Sequence, residues 1–333
     1  MTTTAKNFSA SQLEPWLLLE ITTECNLRCK HCHLWRTKEG PAALATEHKL
    51  QVLEEFRDWK KSGKVVFTGG EVFLKPREVL SLARRSRELG LHSTALSNAT
   101  LITDSLEEVL ESGLSQLSIS LDAPTAGAYD FTRGVEGTFA TAVGNIRRLV
   151  ERRKALGSSV VITLNTILTR SLLPSLQSHI EFARGLGVDG IFFFPLEATF
   201  ANAGPSDPFY EKEKLLPDSA TADAFDFLLA YQESKGFVGN PREDLLFVRE
   251  NIFAGTAANC VAGERNIIVD LNGHVRFCHL MEQHISGGKS LGNIRDASLR
   301  ELCTSSASTG FREIMRACQE PCASLNCNRP TVQ

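Results

Sequence analysis

Three cysteines near the N-terminus have the type and spacing to hold a metal cluster. Cys25, Cys29 and Cys32 follow a C-x3-C-x2-C pattern. Three thiolates on one short loop can ligate three irons of a four-iron cubane, which leaves the fourth iron open for chemistry. A zinc loop or three unrelated core thiols would also explain these residues, since free cysteine is often buried. The loop directly follows an apolar run, and β/α barrels carry active sites on the loops after strands, so the cluster is favoured.

The remaining cysteines are grouped towards the C-terminus. None lies between Cys32 and Cys260, and six follow residue 259: Cys260, Cys278, Cys303, Cys318, Cys322 and Cys327. Core thiols would be scattered more evenly, so the grouping favours metal or cluster ligation. Residues 266–278 form two apolar runs joined by Asn272-Gly273, a strong tight-turn signal. The predicted hairpin would bring Cys260 and Cys278 near one another.

Three further residues are weaker candidates for a catalytic role. Cys303 lies on a predicted helix after two leucines, which is typical of a core thiol; a hydrogen-atom donor is the alternative. His279 directly follows Cys278 and could act as a base beside a bound cluster. Glu197 is the first charged residue after the last predicted strand, where it could contact substrate or cap a backbone group.

The elements that must position these residues form a repeating pattern. Six apolar strand-like runs alternate with helical periodicity: Trp16–Thr22, Lys64–Thr68, Leu91–Ser97, Ser115–Leu121, Val160–Leu168 and Gly190–Leu196. Such alternation predicts a parallel sheet covered by helices. We expect Thr46 to cap the first helix and Asp104 with Glu107 to cap the third. The proline-rich stretch 198–217 predicts a loop, and two amphipathic helices follow it.

Composition limits the class of protein. The chain has 333 residues, 42% hydrophobic and 23% charged, with a formal net charge of −3, which is ordinary for a globular protein. The sequence lacks an apolar run long enough for a membrane span and an N-terminal secretory signal, so we expect a cytoplasmic protein. A basic cluster at 147–154 is interpreted as a solvated helix face, and neither a nucleic-acid partner nor a membrane is expected.

The motifs and their order resemble the radical S-adenosyl-L-methionine (SAM, or AdoMet) superfamily. In that family a C-x3-C-x-φ-C loop, with φ aromatic, follows the first strand, and His31 takes the φ position here. The family's Gly-Gly-Glu motif is matched by Gly69-Gly70-Glu71 after the second predicted strand. The resemblance implies an α/β fold with a partial (β/α)6 TIM-like barrel over 16–200, after an N-terminal extension at 1–15.

The resemblance also assigns residues to an AdoMet site. Glu71 would bind the amino group of the methionine part, with Gly69 and Gly70 letting the backbone approach the ligand closely. Arg133 in DFTRG would pair with the cofactor carboxylate, which suits its two-pronged guanidinium. An ordinary turn at Glu71 and a surface ion pair at Arg133 are the alternatives.

Further matches come from the next strand ends. Ser97 and Asn98 in ALSNATLIT resemble the family's TNGTLLT-type segment, with Ala99 where glycine is more usual, and Ser120 and Asp122 in SISLDAP match its S-x-D segment. Asn165 in TLNTIL could point into the barrel or satisfy a buried polar contact.

The C-terminal cysteines resemble the extensions called SPASM and Twitch, which hold auxiliary four-iron clusters. The spacing Cys260-x12-Gly273-x4-Cys278 fits the first half of the pattern. The last segment has only Cys318, Cys322 and Cys327, where a full SPASM extension has more. The resemblance therefore implies a Twitch-like domain at 255–333 with a single auxiliary [4Fe-4S] cluster and one spare cysteine among the last three. A connecting segment at 201–254 would precede it.

The implied activity is that of a radical AdoMet enzyme of the oxidoreductase type. A reduced [4Fe-4S] cluster would cleave AdoMet to a 5′-deoxyadenosyl radical that removes a hydrogen atom from substrate, with flavodoxin or ferredoxin as reductant. The auxiliary cluster would accept an electron or position substrate. A small-molecule biosynthetic intermediate is favoured over a peptide, because few residues precede the first strand. A non-enzymatic iron–sulfur or zinc scaffold is the alternative from another class.

Overall fold

A single open sheet organises the molecule. The computed structural model describes residues 14–40, 42–198, 206–255, 260–279 and 290–318. The strands are β1 Trp16–Thr22, β2 Lys64–Gly69, β3 His92–Ser97, β4 Gln116–Ser120, β5 Val161–Leu168, β6 Gly190–Pro195, β7 Asn266–Val269 and β8 Val275–Arg276. They lie in the order β6-β5-β4-β3-β2-β1-β7-β8, and every neighbouring pair is parallel except β7 with β8. The six predicted barrel strands are confirmed to within a residue or two at each end.

The described part of the chain contains eleven helices. They are α1 Thr46–Lys60, α2 Pro76–Glu88, α3 Leu106–Glu111, α4 Ala126–Arg133, α5 Thr138–Leu156, α6 Leu176–Gly185, α7 Pro208–Glu213, α8 Ser219–Lys235, α9 Arg242–Ala254, α10 Leu299–Thr304 and α11 Ser306–Arg316. One large apolar core lies between them and the strands. This core contains alternate strand residues such as Leu17, Leu19 and Ile21, because successive side chains of a strand point to opposite faces.

The opposite face of the sheet is more polar and more open. Its small apolar cluster contains Leu18, Val66 and Ile268, with Trp16 and Leu96 packed against it. Towards the carboxyl ends of the strands this inner face carries half-exposed polar residues, among them Glu20 and Asn165. A concave, partly polar face at the strand ends is where β/α proteins bind ligands.

The C-terminal hairpin extends the barrel sheet. Strand β7 pairs in parallel with β1, and β8 returns antiparallel after a turn with Gly273 at φ +89°. The Asp270 carboxylate accepts hydrogen bonds from the backbone of Asn272 and His274 in this turn, and Glu20 of β1 accepts one from Leu271. The hairpin prediction is confirmed, whereas its junction with β1 was not foreseen.

Several local predictions were wrong. Helix α1 begins at Thr46 itself, with Ala45 as its N-cap, and no side chain caps it. Asp104 lies in a 3-10 turn ahead of α3 and does not cap that helix. The predicted loop at 198–217 contains α7, whose signal is the pair Asp207-Pro208: the aspartate accepts from two backbone N–H groups and proline occupies the first turn.

None of the described helices combines the length and the apolar character that a membrane crossing requires.

Candidate active site

The cysteine loop is held in place by the C-terminus of α4. Two of its backbone N–H groups donate to helix carbonyls: Arg28 to Arg133 over 3.0 Å and Lys30 to Thr132 over 2.9 Å. The last carbonyls of a helix have no partner within the helix, so they are available to a neighbouring loop. The loop that carries Cys25, Cys29 and Cys32 is therefore docked on the structure that also presents Arg133.

Three glycines permit this close docking. A Cβ at Gly134 would lie 2.2 Å from the Arg28 carbonyl oxygen, one at Gly70 would lie 1.9 Å from that of Glu24, and one at Gly69 would lie 2.1 Å from that of Thr22. Gly70 and Glu71 also donate backbone hydrogen bonds to Thr22 and Glu24. The backbone of residues 22–24 takes the space beside Gly69 and Gly70, and the expectation that these glycines let the backbone approach a ligand closely stays a prediction.

The three thiols share an environment suited to cluster ligation. All three are free, with Cys29 buried and Cys25 and Cys32 partly buried. Burial, reinforced by the neighbouring thiols, raises the pKa of Cys25 and of Cys32 to about 11. At neutral pH these thiols are therefore protonated, and binding of iron must displace the protons. Among described residues no three His, Cys, Asp or Glu side chains converge enough to hold a single metal ion, as a zinc site requires.

Glu71 is buried at the end of β2 and is tied to the end of β3. Its carboxylate accepts from the Ser97 hydroxyl over 2.8 Å, from the Asn98 N–H over 2.7 Å and from the Phe73 N–H over 3.1 Å. Burial raises the pKa of Glu71, against the effect of these three bonds. In this arrangement Glu71 positions Ser97 and Asn98 at the carboxyl ends of the strands, which we call the mouth of the barrel. Direct contact of Glu71 with an ammonium group stays a prediction.

Replacing Glu71 by glutamine is expected to destabilise the fold. The amide nitrogen would face at least one of the three donors, and an unsatisfied buried donor lowers the free energy of unfolding by about 2–3 kcal/mol. Urea unfolding of the reduced, metal-free protein measures this. Glu24→Gln, an exposed change on the neighbouring loop, is the control and should leave the midpoint unchanged. Equal midpoints for both variants would contradict the positioning role.

Asn98 connects the same strand end to the cysteine loop. Its side-chain amide donates to Asn26 over 2.9 Å and its side-chain oxygen accepts from Thr100, while Asn26 donates to the Thr100 hydroxyl over 2.8 Å. Ala99 adopts a left-handed conformation with φ +59°, so the turn keeps the conformation that glycine favours. Asn26 was missed by sequence reasoning; its place between Cys25 and Cys29 is the signal that could have found it.

Asp122 and Arg133 form a buried ion pair beside Cys29. Arg133 Nη2 lies 2.5 Å from Asp122 Oδ2, and its Nη1 donates to Cys29 Sγ over 3.6 Å. Both residues are 5% exposed. Burial alone would lower the pKa of Arg133, but Asp122 and Cys29 outweigh it and raise the pKa. The surface ion pair weighed from sequence is thus ruled out, since the pair is buried.

Three buried polar atoms around this pair make no hydrogen bond to described residues: Arg133 Nε, Asp122 Oδ2 and His31 Nδ1. Asp122 Oδ2 is close to the guanidinium yet lacks hydrogen-bond geometry. Burial lowers the pKa of His31 to about 4, and Asp122 and Arg133 are the charges that act on it. The unpaired Nε–H of the buried Arg133 guanidinium fits the carboxylate of an amino acid ligand.

Ser120 and Asn165 lie side by side on the inner face. Ser120 of β4 is the register partner of Asn165 of β5, which is in turn the partner of Phe192 of β6. The side chains of Ser120 and Asn165 are half-exposed. Asn165 therefore points into the barrel, the first of the two alternatives considered for it.

The C-terminal cysteines within the described residues approach one region. The N–H of Gly263 donates to the side chain of Asn266, whose amide donates to the carbonyl of Phe277, and this ties the loop after Cys260 to the residue before Cys278. Both thiols are buried. An ion pair of 3.7 Å between Arg316 and Glu264 brings the chain leading to Cys318 beside the same loop. Cys322 and Cys327 lie outside the described residues.

The three weak catalytic candidates differ in position. Cys303 is fully buried in the helix-covered core, where burial raises its pKa to about 12 and its charged neighbours are Lys60 and Arg312. Lys60 ends α1, at the opposite end of the barrel from the cysteine loop, so the core interpretation is favoured. Burial and the cation of Arg276 lower the pKa of His279 to about 4. Glu197 follows β6, and its negative charge contributes, after burial, to the raised pKa of Tyr210 in α7.

Comparisons with known proteins match both the segment of the cysteine loop and the C-terminal segment to known families. A family model for the radical SAM superfamily matches residues 19–171, and one for the iron–sulfur cluster-binding domain SPASM matches residues 260–328. An AdoMet-dependent heme synthase of Oleidesulfovibrio alaskensis is 31% identical over 192 residues, 57% of this chain and 47% of that protein. One of Methanosarcina barkeri is 27% identical over 310 residues, 88% of this chain and 82% of that protein. The chain thus spans about half the length of the first relative.

A solved structure shares the fold. Streptococcus suis SuiB bound to its precursor peptide SuiA superposes with a TM-score of 0.69 at 14% identity, over 96% of this chain and 75% of SuiB. At this identity the likeness concerns the fold alone. The C-terminal match is to the SPASM model, and the expectation of a single auxiliary cluster stays a prediction. We conclude that the chain carries a domain of the radical SAM superfamily at residues 19–171 and a C-terminal SPASM iron–sulfur cluster-binding domain.

Proposed function

We propose that Cys25, Cys29 and Cys32 hold the AdoMet-binding [4Fe-4S] cluster and that the enzyme abstracts a hydrogen atom from a small biosynthetic molecule. The observation that carries this is the docking of three free thiols against the buried Asp122–Arg133 pair. When bound, the cluster and AdoMet supply a one-electron reduction and a carbon radical that removes a hydrogen atom. The protein supplies binding, orientation and exclusion of water.

The residues of the mouth have separate tasks in this proposal. Arg133 offers its unpaired Nε–H to a carboxylate, and Asp122 holds the guanidinium in place through their ion pair. Glu71 fixes Ser97 and Asn98, whose strand end forms the next wall. Ser120 and Asn165 present polar groups from the inner face, and Phe192 adds an apolar surface. A mixed polar and apolar wall suits a small organic molecule.

The substrate class is supported by a relative that aligns over most of the chain. The Methanosarcina barkeri protein aligned over 88% of this chain is named a heme synthase, so a tetrapyrrole is the small molecule we favour. The proposal includes a reductant of the flavodoxin or ferredoxin kind. It also includes a single auxiliary cluster held by Cys260, Cys278 and two of the last three cysteines. The barrel domain is proposed to end near residue 200 and the auxiliary domain to begin near residue 255. A cytoplasmic location is included, because free thiols persist in a reducing compartment.

The Cys260→Ala variant distinguishes the role of the auxiliary cluster site from that of the N-terminal cluster site. We expect reconstituted wild type to bind about eight irons and this variant about four. The variant should still form 5′-deoxyadenosine from AdoMet with dithionite, because the N-terminal loop is untouched, but it should no longer convert substrate. The assay is anaerobic incubation with an iron tetrapyrrole or with a short peptide, followed by mass spectrometry of each.

The outcomes of this assay discriminate between the readings. Consumption of the tetrapyrrole by wild type alone supports the proposal. Modification of the peptide instead would make the protein a peptide-modifying enzyme. If the protein bound zinc in place of iron and formed no 5′-deoxyadenosine, the result would support a non-enzymatic scaffold. Normal turnover by Cys260→Ala would leave the auxiliary site without a catalytic part.

A further inference from the structure

The outer surface of the cysteine loop carries an unusual concentration of positive charge. Segment 28–38 contains Arg28, Lys30, Arg36 and Lys38 and no aspartate or glutamate, although the whole chain has a net charge of −3. We name these four residues the cationic rim. All four are exposed. Within the part of the chain that the structure describes, none of the four forms an ion pair with a carboxylate.

This distinguishes the cationic rim from the other basic segment of the protein. On α5, Arg152 pairs with Glu107, and Arg153 pairs with Asp189. Paired surface charges are largely neutralised by their partners. Unpaired charges of one sign create a local potential that attracts an oppositely charged molecule.

Aromatic rings hold the cationic rim in a defined shape. The Cζ atoms of Arg28 and Arg36 lie 5.1 Å and 4.8 Å from the centroid of the Trp35 ring. Lys30 Nζ lies 4.5 Å from the ring of Phe131, which is 57% exposed. Cation–π contacts of this kind fix long side chains that would otherwise be mobile. The result is a surface of cations around the half-buried Trp35 ring and the exposed Phe131 ring, and aromatic residues and arginine are enriched in protein–protein interfaces.

This surface is the outer side of the cluster loop itself. Trp35 donates from its indole nitrogen to the Cys29 carbonyl over 3.4 Å, and Arg28 donates to the Cys25 carbonyl over 2.8 Å. A molecule seated on the cationic rim is thus separated from the proposed cluster ligands by one layer of residues.

We propose that the cationic rim docks a small acidic one-electron carrier protein of the flavodoxin or ferredoxin kind. The inference rests on the proposed function and names where its reductant binds. Charge complementarity selects an acidic partner, and weak electron-transfer complexes use small, electrostatically steered interfaces. One electron passes from the reduced carrier to the oxidised cluster, so the carrier loses one electron, the cluster gains one, and no atom moves.

The test compares two double charge reversals with the same change in net charge. Lys30→Glu with Lys38→Glu alters the cationic rim, and Arg147→Glu with Lys154→Glu alters the exposed face of α5. The probe is a recombinant bacterial flavodoxin. We measure its Kd for each reconstituted protein by anaerobic calorimetry at low and high salt. We also measure the rate of 5′-deoxyadenosine formation driven by reduced flavodoxin or by dithionite.

We expect the rim variant to weaken flavodoxin binding about tenfold or more and the α5 variant to change it less than about twofold. Wild-type binding should weaken with salt. The flavodoxin-driven rate of the rim variant should fall in proportion, while its dithionite-driven rate stays at the wild-type value.

Two results would overturn the proposal: an equal effect of both double variants on Kd, or binding of a single-stranded oligonucleotide by the cationic rim with no binding of flavodoxin. If the rim variant also loses the dithionite-driven rate, its loop is damaged. The Kd of Lys38→Glu alone then decides, because that side chain makes no hydrogen bond or ion pair to the described residues. Failure of wild type to form 5′-deoxyadenosine with dithionite would refute the proposed function, and the Kd values would still report on docking.

Discussion

Alanine at Cys25, Cys29 or Cys32 is expected to abolish the formation of 5′-deoxyadenosine from AdoMet. Each thiolate would hold one corner of the cluster, and the three are fixed on a loop anchored to Thr132 and Arg133. No other described cysteine lies on that loop, so a lost ligand has no replacement there. Iron content after anaerobic reconstitution should fall from about eight to about four in the triple variant.

Cys303→Ala is the matched control for this loss. It also removes a buried thiol, but from the core near Lys60, and should lower the free energy of unfolding by only about 1 kcal/mol. Its iron content and its 5′-deoxyadenosine should equal those of wild type. Unchanged product from any variant of the cysteine loop would refute the assignment of the cluster, whatever its iron content.

The sequence was sufficient to predict the strands and the hairpin turn, which depend on local residue patterns. Strand β1 has the bounds that its apolar run indicated, and the Asn272-Gly273 turn gives the expected hairpin. These features depend on neighbouring residues, because the side chains of a strand alternate and a tight turn needs particular residue types. The order of the motifs along the chain sufficed to place them at successive strand ends.

Contacts between distant segments could not be read in the same way. Strand β7 pairs with β1 although some 250 residues separate them, and no local pattern marks that partner. The helix start at Thr46 and the absent cap at Asp104 depend on details of backbone conformation that several residue types satisfy. Helix α7 was hidden by a high density of proline and glycine, although Asp207-Pro208 is itself a start signal.

The partners of the site residues were the largest surprise. Glu71 and Arg133 were expected to face the cofactor, and each is found with protein partners: Glu71 with Ser97 and Asn98, and Arg133 with Asp122. A buried charge must be paired or hydrogen-bonded, so the protein supplies partners wherever burial demands them. Sequence reasoning identified which residues gather at the mouth and could not say which of their atoms remain available.

Arg133→Met is expected to cost both stability and affinity for AdoMet. Removal of the guanidinium leaves the Asp122 carboxylate buried without a counter-ion, which lowers the free energy of unfolding by about 3–5 kcal/mol. The loss of the charge-assisted hydrogen bond from Arg133 Nε to the cofactor carboxylate should weaken AdoMet binding about 10- to 100-fold. Urea unfolding measures the first effect, and anaerobic equilibrium dialysis of the reconstituted protein measures the second.

The double variant Asp122→Asn with Arg133→Met distinguishes a structural role from a binding role. It removes both charges, and replacing a whole buried ion pair by neutral groups is often close to neutral for stability. We therefore expect its unfolding midpoint to recover most of the loss seen in Arg133→Met. Its AdoMet affinity should stay low, because the unpaired Nε–H of Arg133 is gone.

Arg133→Lys completes the series. Lysine keeps the positive charge beside Asp122 but lacks the planar fork, so it should retain more stability than methionine and still bind AdoMet less tightly than arginine. If the double variant bound AdoMet as tightly as wild type, Arg133 would serve only to neutralise Asp122, and the cofactor carboxylate would have to be bound elsewhere in the mouth. The split between stability and affinity thus tests directly whether the buried pair beside Cys29 is the AdoMet site.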